Sequence, residues 1–334
     1  MVSAVIFVAT SCVSPLTGFA FWETNLAYEG ESIYNYLQVK NLSDRTILST
    51  NVLFGVQSVT MKDKGLTGMY YDTALAAPAL ADNANSALIL GMGTGTYARQ
   101  LKQYYPKMNI TGVEIDQKIT DLAGEYFDEP ADIPVTTYDD RAWLAASHDK
   151  YDVIMVDAYQ DITIPFQMSS TEFFTMVREH LNPGGVMVVN MNMISDGQGS
   201  INEALSDTIA SVFGNGNTLT ADVPNTTNRE LFAKKPGSGS EENSMQQASK
   251  ALNLRETTYE RTGSEDLEWY MEEVASRFRK VNEPDSASTI LTDDKAPVEV
   301  LGMHAIDQII ADEAGPYRQI LKDEGFGGLL RAVQ

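Results

Sequence analysis

The feature that most constrains this chain is an alternation that begins at Ala87. Five apolar runs, "ALIL", "NITGVE" (109–114), "IPVTTY" (133–138), "YDVIMVD" (151–157) and "GVMVVNM" (185–191), are separated by helix-like stretches such as 97–105, 117–127 and 171–181. Strands this apolar are covered on both faces, and helical connections between them make them parallel. After a further helix expected at 201–213, "TLTADV" and "RELFAKK" form a terminal hairpin. The prediction is an α/β fold around a seven-stranded, mostly parallel sheet.

The segment before it reads differently. "SIYNYLQVKN" (32–41), "RTILSTN" (45–51) and "VQSVTM" (56–61) are short, β-branched and aromatic runs broken by polar turns, and "YYDTALAAPAL" reads as one short helix. At the other end "KPGSGSEENS" (235–244) is a polar loop, followed by helices expected at 244–254 and 266–280. "LTDDKAPVEVL" then reads as a loop with a short strand, and a last helix is expected at 305–312. The expected divisions are an apolar leader or membrane-proximal segment at 1–30, an N-terminal β domain at 31–82, a nucleoside-binding catalytic domain at 83–234 and a helical elaboration at 235–334.

The stretch "ALILGMGTGTYARQL" (87–101) narrows the ligand. A dinucleotide fold needs G-x-G-x-x-G, and Thr96 stands where the third glycine belongs. A triphosphate loop needs a Lys-Ser/Thr pair, which is missing. What remains is G-x-G-x-G, with Gly91, Gly93 and Gly95 letting a ligand lie against bare backbone. That pattern suits the ribose and aliphatic part of S-adenosylmethionine, and the fold expected with it is the Rossmann-like class I S-adenosylmethionine-dependent methyltransferase fold. Glu114 closes the second strand, where a carboxylate can accept both ribose hydroxyls. Asp139 and Asp140 follow the third strand, within reach of an adenine amino group, and Asp157 ends the fourth, facing a reacting centre. Any one of these acids alone reads as a helix cap; their joint placement points to one crevice.

Charge excludes some partners. Against 46 Asp+Glu stand 24 Lys+Arg, a net charge of -22. Such a field repels nucleic acid and anionic membrane surfaces and attracts small cationic amines, although the same excess also serves solubility. Cys12 is the only cysteine, and His148, His180 and His304 are scattered, so no disulfide framework and no metal site are expected. This composition suits a cytoplasmic catalytic domain. The first twenty-two residues carry no charge, lack a basic n-region, and are diluted by Ser, Thr, Pro15 and Gly18. Membrane association through residues 2–22, packing against protein, and a processed leader all stay open, as does a homodimer.

Over about residues 31–195 the chain resembles the polyamine aminopropyltransferases, the spermidine synthase family. "SIYNYLQV" resembles the family's S-x-Y-Q strand, and "FGVQS" its D-G-x-x-Q turn, which puts Gln57 on the nucleoside-contacting glutamine. "YYDTALAAPAL" resembles its Y-H-E-M-L-A-H-x-P helix, with Tyr70 on the family's tyrosine. "GMGTGT" stands for G-G-G-D-G-G, "GVEID" for E-I-D, which brings in Asp116, and "YDDRAWL" for G-D-A. "YDVIMVDAY" falls on the catalytic strand, and "MSSTEFF…LNPGGVMVVN" on L-F…F-Y…L-x-P-G-G-x-x-x-x-Q. "LTDDKAPVEVL" resembles a spermidine synthase-like branch attached to membrane domains. The departures gather on the acceptor side. Thr94 replaces the acid of the glycine loop, Tyr71 and Asp72 replace His-Glu, and Asn35 replaces a glutamine. The family's D-S-x-D becomes Asp157-Ala-Tyr-Gln160, with Asp161 one residue beyond.

The resemblance implies decarboxylated S-adenosylmethionine as co-substrate, Asp157 as base with Tyr70 assisting, and Tyr71, Asp72, Gln160 and Asp161 as the positions left for the amine. Two other readings stay open at this point: a methyltransferase using S-adenosylmethionine itself, and a nucleoside-binding domain without turnover.

Overall fold

The computed structural model describes residues 20, 23–51, 56–63, 65–158, 164–191, 199–237, 254–286, 288–305 and 322. A four-stranded antiparallel sheet comes first: β1 (Leu26–Glu31), β2 (Tyr36–Asn41), β3 (Arg45–Thr50) and β4 (Ser58–Met61), side by side in that order. Its first strand starts inside the segment expected as a leader. Alternation supplies its apolar face, with Leu37, Val39 and Leu48 fully buried.

Two short helices follow, α1 (Tyr70–Ala74) and α2 (Ala76–Leu80), where one was expected. Pro78 explains the break. It has no N–H to return to the carbonyl of Ala74, so a single helix cannot run through 70–80. The Tyr97 hydroxyl donates to that carbonyl instead, at 3.0 Å.

The main body then alternates: β5 (Ser86–Leu90), α3 (Thr96–Tyr104), β6 (Asn109–Glu114), α4 (Gln117–Tyr126), β7 (Val135–Thr137), α5 (Asp140–Ala146), β8 (Tyr151–Val156), α6 (Thr171–His180), β9 (Leu181–Met191), α7 (Ile201–Phe213), β10 (Thr218–Asp222) and β11 (Arg229–Lys234). The strands β7, β6, β5, β8 and β9 lie parallel in that spatial order; β11 runs antiparallel beside β9, and β10 beside β11. This is the expected class I methyltransferase-like sheet. The sheet gains an eighth, two-residue strand, β12 (Arg279–Lys280), on β10.

Period two sends the strand side chains into two cores. Ala87, Ile89, Val153, Met155, Val186, Val188 and Phe232 face one cluster, which includes α1 and α2. Leu88, Leu90, Ile154, Val156, Met187, Val189 and Leu231 face the other, with Phe173 and Phe174 of α6. The N-terminal sheet packs Leu37, Val39 and Leu48 on Ile119, Leu122 and Phe127 of α4 and its end. That contact suspends β1–β4 over the carboxyl ends of β5 and β6.

Beyond β11, α8 (Leu254–Thr262) and α9 (Glu265–Arg277) pack together. The expected helix at 244–254 lies outside the described residues except for Leu254, the start of α8. The expected short strand is instead a tight turn closed by a Thr292–Lys295 bridge, and the chain is helical at 298–305. Arg141 grips the Asp293 carboxylate with two bonds of 2.7 and 2.6 Å, pinning this turn to α5. The helix expected at 305–312 lies outside the described residues after 305. Among the described residues no helix is long and apolar enough to cross a membrane; residues 2–22, except Ala20, are not among them.

A carboxylate-lined candidate active site

The strand order reverses between β5 and β8, and in open α/β sheets the crevice outside such a point receives ligands. Here it opens into a cavity of about 170 Å³ between the sheet edge, α1 and the N-terminal sheet. Gly91 makes the crevice possible. Its φ is +81°, and a Cβ there would lie 2.5 Å from the Asp157 carbonyl oxygen, so no other residue fits. Gly93 also has positive φ and lines the cavity, whereas Gly95 caps α3 outside it.

On the β5–β6 side the carboxylates are held by backbone. Glu114 accepts from the N–H of Gly93 (2.8 Å) and of Asp116 (3.0 Å), and burial pushes its pKa up. The Asp140 carboxylate accepts from Gly91 N–H at 3.1 Å; burial and the neighbouring Glu114 charge raise its pKa well above the usual range. Asp139 caps α5 through Ala142 N–H, so the helix-cap reading and the cavity placement hold together. Gln57 lines the opposite wall, from the entry to β4.

The β8–β9 side centres on Asp157, half-buried just past β8. Tyr70 Oη donates to its Oδ2 at 2.5 Å, and Asn190 Nδ2 to its Oδ1 at 2.9 Å. Desolvation lifts the carboxyl pKa to about 7 against the pull of these two bonds. Burial, then the Asp157 charge, pushes the Tyr70 phenol well above its ordinary value, so it stays a donor at neutral pH. Tyr71 lines the cavity as well, its ring centre 4.0 Å from that of Tyr70 and tilted 37° against it. No Lys, Arg or His is among the described residues that line the cavity.

Besides Gly95, two expected site residues lie elsewhere. Asp72 is fully buried and does not line the cavity. Its oxygens accept from Thr67 N and Oγ1 (both 2.9 Å), Gly68 N (2.7 Å) and Gln100 Nε2 (2.6 Å). With four donors satisfied it has no room for an ammonium and serves to close the turn before α1. Asp116 is likewise saturated. It takes Ser32 Oγ (2.5 Å) and Asn35 Nδ2 (3.0 Å) from the N-terminal sheet and caps α4 through Lys118 N–H (3.0 Å). It bolts the two sheets together rather than facing the cavity. Gln160 and Asp161 lie outside the described residues. Thr94 is buried, 3.4 Å from Thr96 Oγ1, and also faces away from the cavity.

Sequence reasoning passed over Asn190, Asn228 and Glu230. Asn228 Nδ2 donates to Asn190 Oδ1 at 2.8 Å, orienting the amide that holds Asp157. The signal for these residues is their place at the open ends of β9 and β11, polar groups in otherwise apolar runs. Among the described residues no cluster of three or more His, Cys, Asp or Glu is arranged to hold a metal ion.

Residues 69–235 match the spermine/spermidine synthase domain. The whole chain is 99% identical to a probable polyamine aminopropyl transferase of Bifidobacterium longum (strain NCC 2705), of which it spans 75%. A polyamine aminopropyltransferase of Corynebacterium efficiens is 37% identical over 131 residues, 36% of this chain and 25% of that one. The crystal structure of a probable spermidine synthase from Corynebacterium glutamicum superposes with a TM-score of 0.57 at 22% identity, covering 80% of this chain and 99% of the other, a likeness of fold. With the Asp157–Tyr70–Asn190 centre at the sheet's switch point, these matches identify the chain as a member of the spermine/spermidine synthase family.

Proposed function

We propose that this chain transfers the aminopropyl group of decarboxylated S-adenosylmethionine to a small di- or polyamine, with Asp157 as the base. The amine nitrogen attacks the methylene next to the sulfonium in line; a C–N bond forms, the C–S bond breaks, and its electron pair leaves with sulfur as methylthioadenosine. The sulfonium is already a strong leaving group, so the protein's task is positioning and deprotonation. A free alkylamine titrates near the Lys value of about 10.4 and enters as an ammonium. Asp157 holds two hydrogen bonds from protein and keeps lone pairs toward the cavity, so it binds the ammonium and takes its proton. Tyr70 and Asn190 fix the carboxylate plane. Gly91 and Gly93 offer bare backbone to the donor, Glu114 suits its ribose hydroxyls, and Asp139 or Asp140 its adenine amino group.

One observation carries the choice of donor: acids line the cavity with no described cation beside them. The carboxylate of intact S-adenosylmethionine would enter this acidic lining with no described cation to pair it, whereas a decarboxylated donor and an amine are both cations that the lining favours. The test incubates the protein with either donor plus putrescine or spermidine and follows by-products by mass spectrometry. Methylthioadenosine formed only with amine supports the proposal. S-adenosylhomocysteine would replace it with methyl transfer, and neither product would leave a nucleoside-binding domain without turnover.

A further inference from the structure

The residue at each strand's open end falls on one row across the sheet. The ladders pair Leu90 with Val113 and with Val156, and Val156 with Val189; one step further lie Glu114, Gly91, Asp157 and Asn190. Across the last ladder Asn190 faces Glu230 of β11. Glu230 shares the sheet face of Phe232, because its neighbours Leu231 and Ala233 point into the other core. The row therefore runs from a carboxylate on the nucleoside side, through the reacting Asp157, to a second carboxyl on the far side.

Glu230 is fully buried, and neither carboxyl oxygen has a hydrogen-bond partner among the described residues. A buried polar group left this way is costly and calls for an explanation. Its surroundings are electrostatically coupled to the cavity: its charge acts on Tyr71 and Tyr97, both in the cavity wall, and the Asp157 charge acts on it. It stands two strand spacings from Asp157, roughly 9–10 Å between backbones. Like Asp72, Glu230 does not itself line the cavity, but unlike Asp72 its oxygens hold no donors among the described residues. A short alkyl diamine presenting one nitrogen to Asp157 and pointing away from Glu114 directs its second nitrogen along the row toward this carboxyl, through the wall that Tyr71 and Tyr97 help to form.

We propose that Glu230 is a specificity-determining residue, the counter-charge for the second, non-reacting ammonium of the acceptor. The inference rests on the aminopropyl-transfer reading above and adds to it the residue that makes the site select diamines over monoamines. It also accounts for the rewritten acceptor side, since Asp72 is committed to its turn and Thr94 carries no charge. Burial raises the Glu230 carboxyl well above its ordinary range, and the field of an arriving second ammonium acts the other way, favouring loss of the proton to solvent and formation of the carboxylate.

The experiment compares putrescine with n-butylamine as acceptors for the wild type, Glu230→Gln and Glu230→Leu, the last matching the apolar surroundings should the amide fold poorly. The wild type is expected to prefer putrescine. Both variants should raise the KM for putrescine by about tenfold or more, leaving the KM for n-butylamine and for the donor unchanged. Calorimetry of the wild type near pH 7, in buffers of different ionisation enthalpy, should show more proton release with putrescine than with n-butylamine. Unchanged putrescine selectivity in the variants, or equal proton release from the two amines, would overturn the role of Glu230. No methylthioadenosine from the wild type with either amine would instead remove the reaction, and the inference with it.

Discussion

The two sides of the cavity are built in different ways. On the β5–β6 side each carboxylate is fixed by backbone N–H groups of the loops at the strand ends: Gly93 and Asp116 on Glu114, Gly91 on Asp140, Ala142 on Asp139. On the β8–β9–β11 side the holders are side chains from distant segments, with Tyr70 and Asn190 on Asp157 and Asn228 behind Asn190. Backbone donors survive most substitutions provided the turn keeps its glycines. Side-chain donors can be exchanged one at a time. Of the departures from the family pattern, Tyr71 lines the cavity beside Tyr70, whereas Thr94 and Asp72 lie off it.

The largest expected effect falls on the reacting side. Asp157→Asn keeps the shape but removes the base, and turnover should drop by about 10²–10⁴ with donor affinity retained. Tyr70→Phe removes one bond to that carboxylate; a charged hydrogen bond of about 1.5–3 kcal/mol corresponds to a loss of about tenfold to a hundredfold in kcat/KM. Glu114→Ala should act in the opposite sense, weakening nucleoside binding by calorimetry by about tenfold or more while leaving amine selectivity alone. If Glu114→Ala changed amine selectivity, or Asp157→Asn abolished donor binding, the division into two sides would be wrong.

Structural carboxylates make a sharper contrast. Asp72→Asn points an amide donor at a turn that already supplies four, and should cost about 1–3 kcal/mol of stability, read as a lower Tm, without changing the KM for amine. A smaller effect follows from pH. The folded pKa of Asp157 is about 7 against an ordinary value of 3.8, so the folded state binds more protons between those values. Its contribution to stability is complete below the unfolded pKa and disappears as pH rises through about 7. In the absence of ligand, Asp157→Asn should therefore melt a few degrees above the wild type at pH 8 and alongside it at pH 4.

Much of the fold was legible because the alternation from Ala87 is local and strongly periodic, and the terminal hairpin followed from two apolar runs. The double helix at 70–80 was less so: Pro78 was visible, but the tyrosine that takes over the Ala74 carbonyl comes from Tyr97. Strand β1 was missed because "LAYEGE" has weak alternation and gains its order from pairing with β2. That Gly91, Gly93, Glu114 and Asp157 line one cavity was readable from their positions at the strand ends. Asp72 and Asp116 misled because an acid beside a motif can face either the ligand or the scaffold, and only long-range partners decide. Ser32 and Asn35 claim Asp116 from more than eighty positions away. Glu230 was invisible for the same reason: its register opposite Asn190 is a tertiary fact.

The central claim is that Asp157 deprotonates an amine that displaces methylthioadenosine. The most direct measurement is a single-turnover assay of methylthioadenosine from decarboxylated S-adenosylmethionine, with protein in excess, comparing wild type and Asp157→Asn with and without putrescine. The account expects amine-dependent methylthioadenosine from the wild type and a rate at least a hundredfold lower from the variant, with the donor still bound. Equal rates from the two proteins, or methylthioadenosine released without amine, would contradict it.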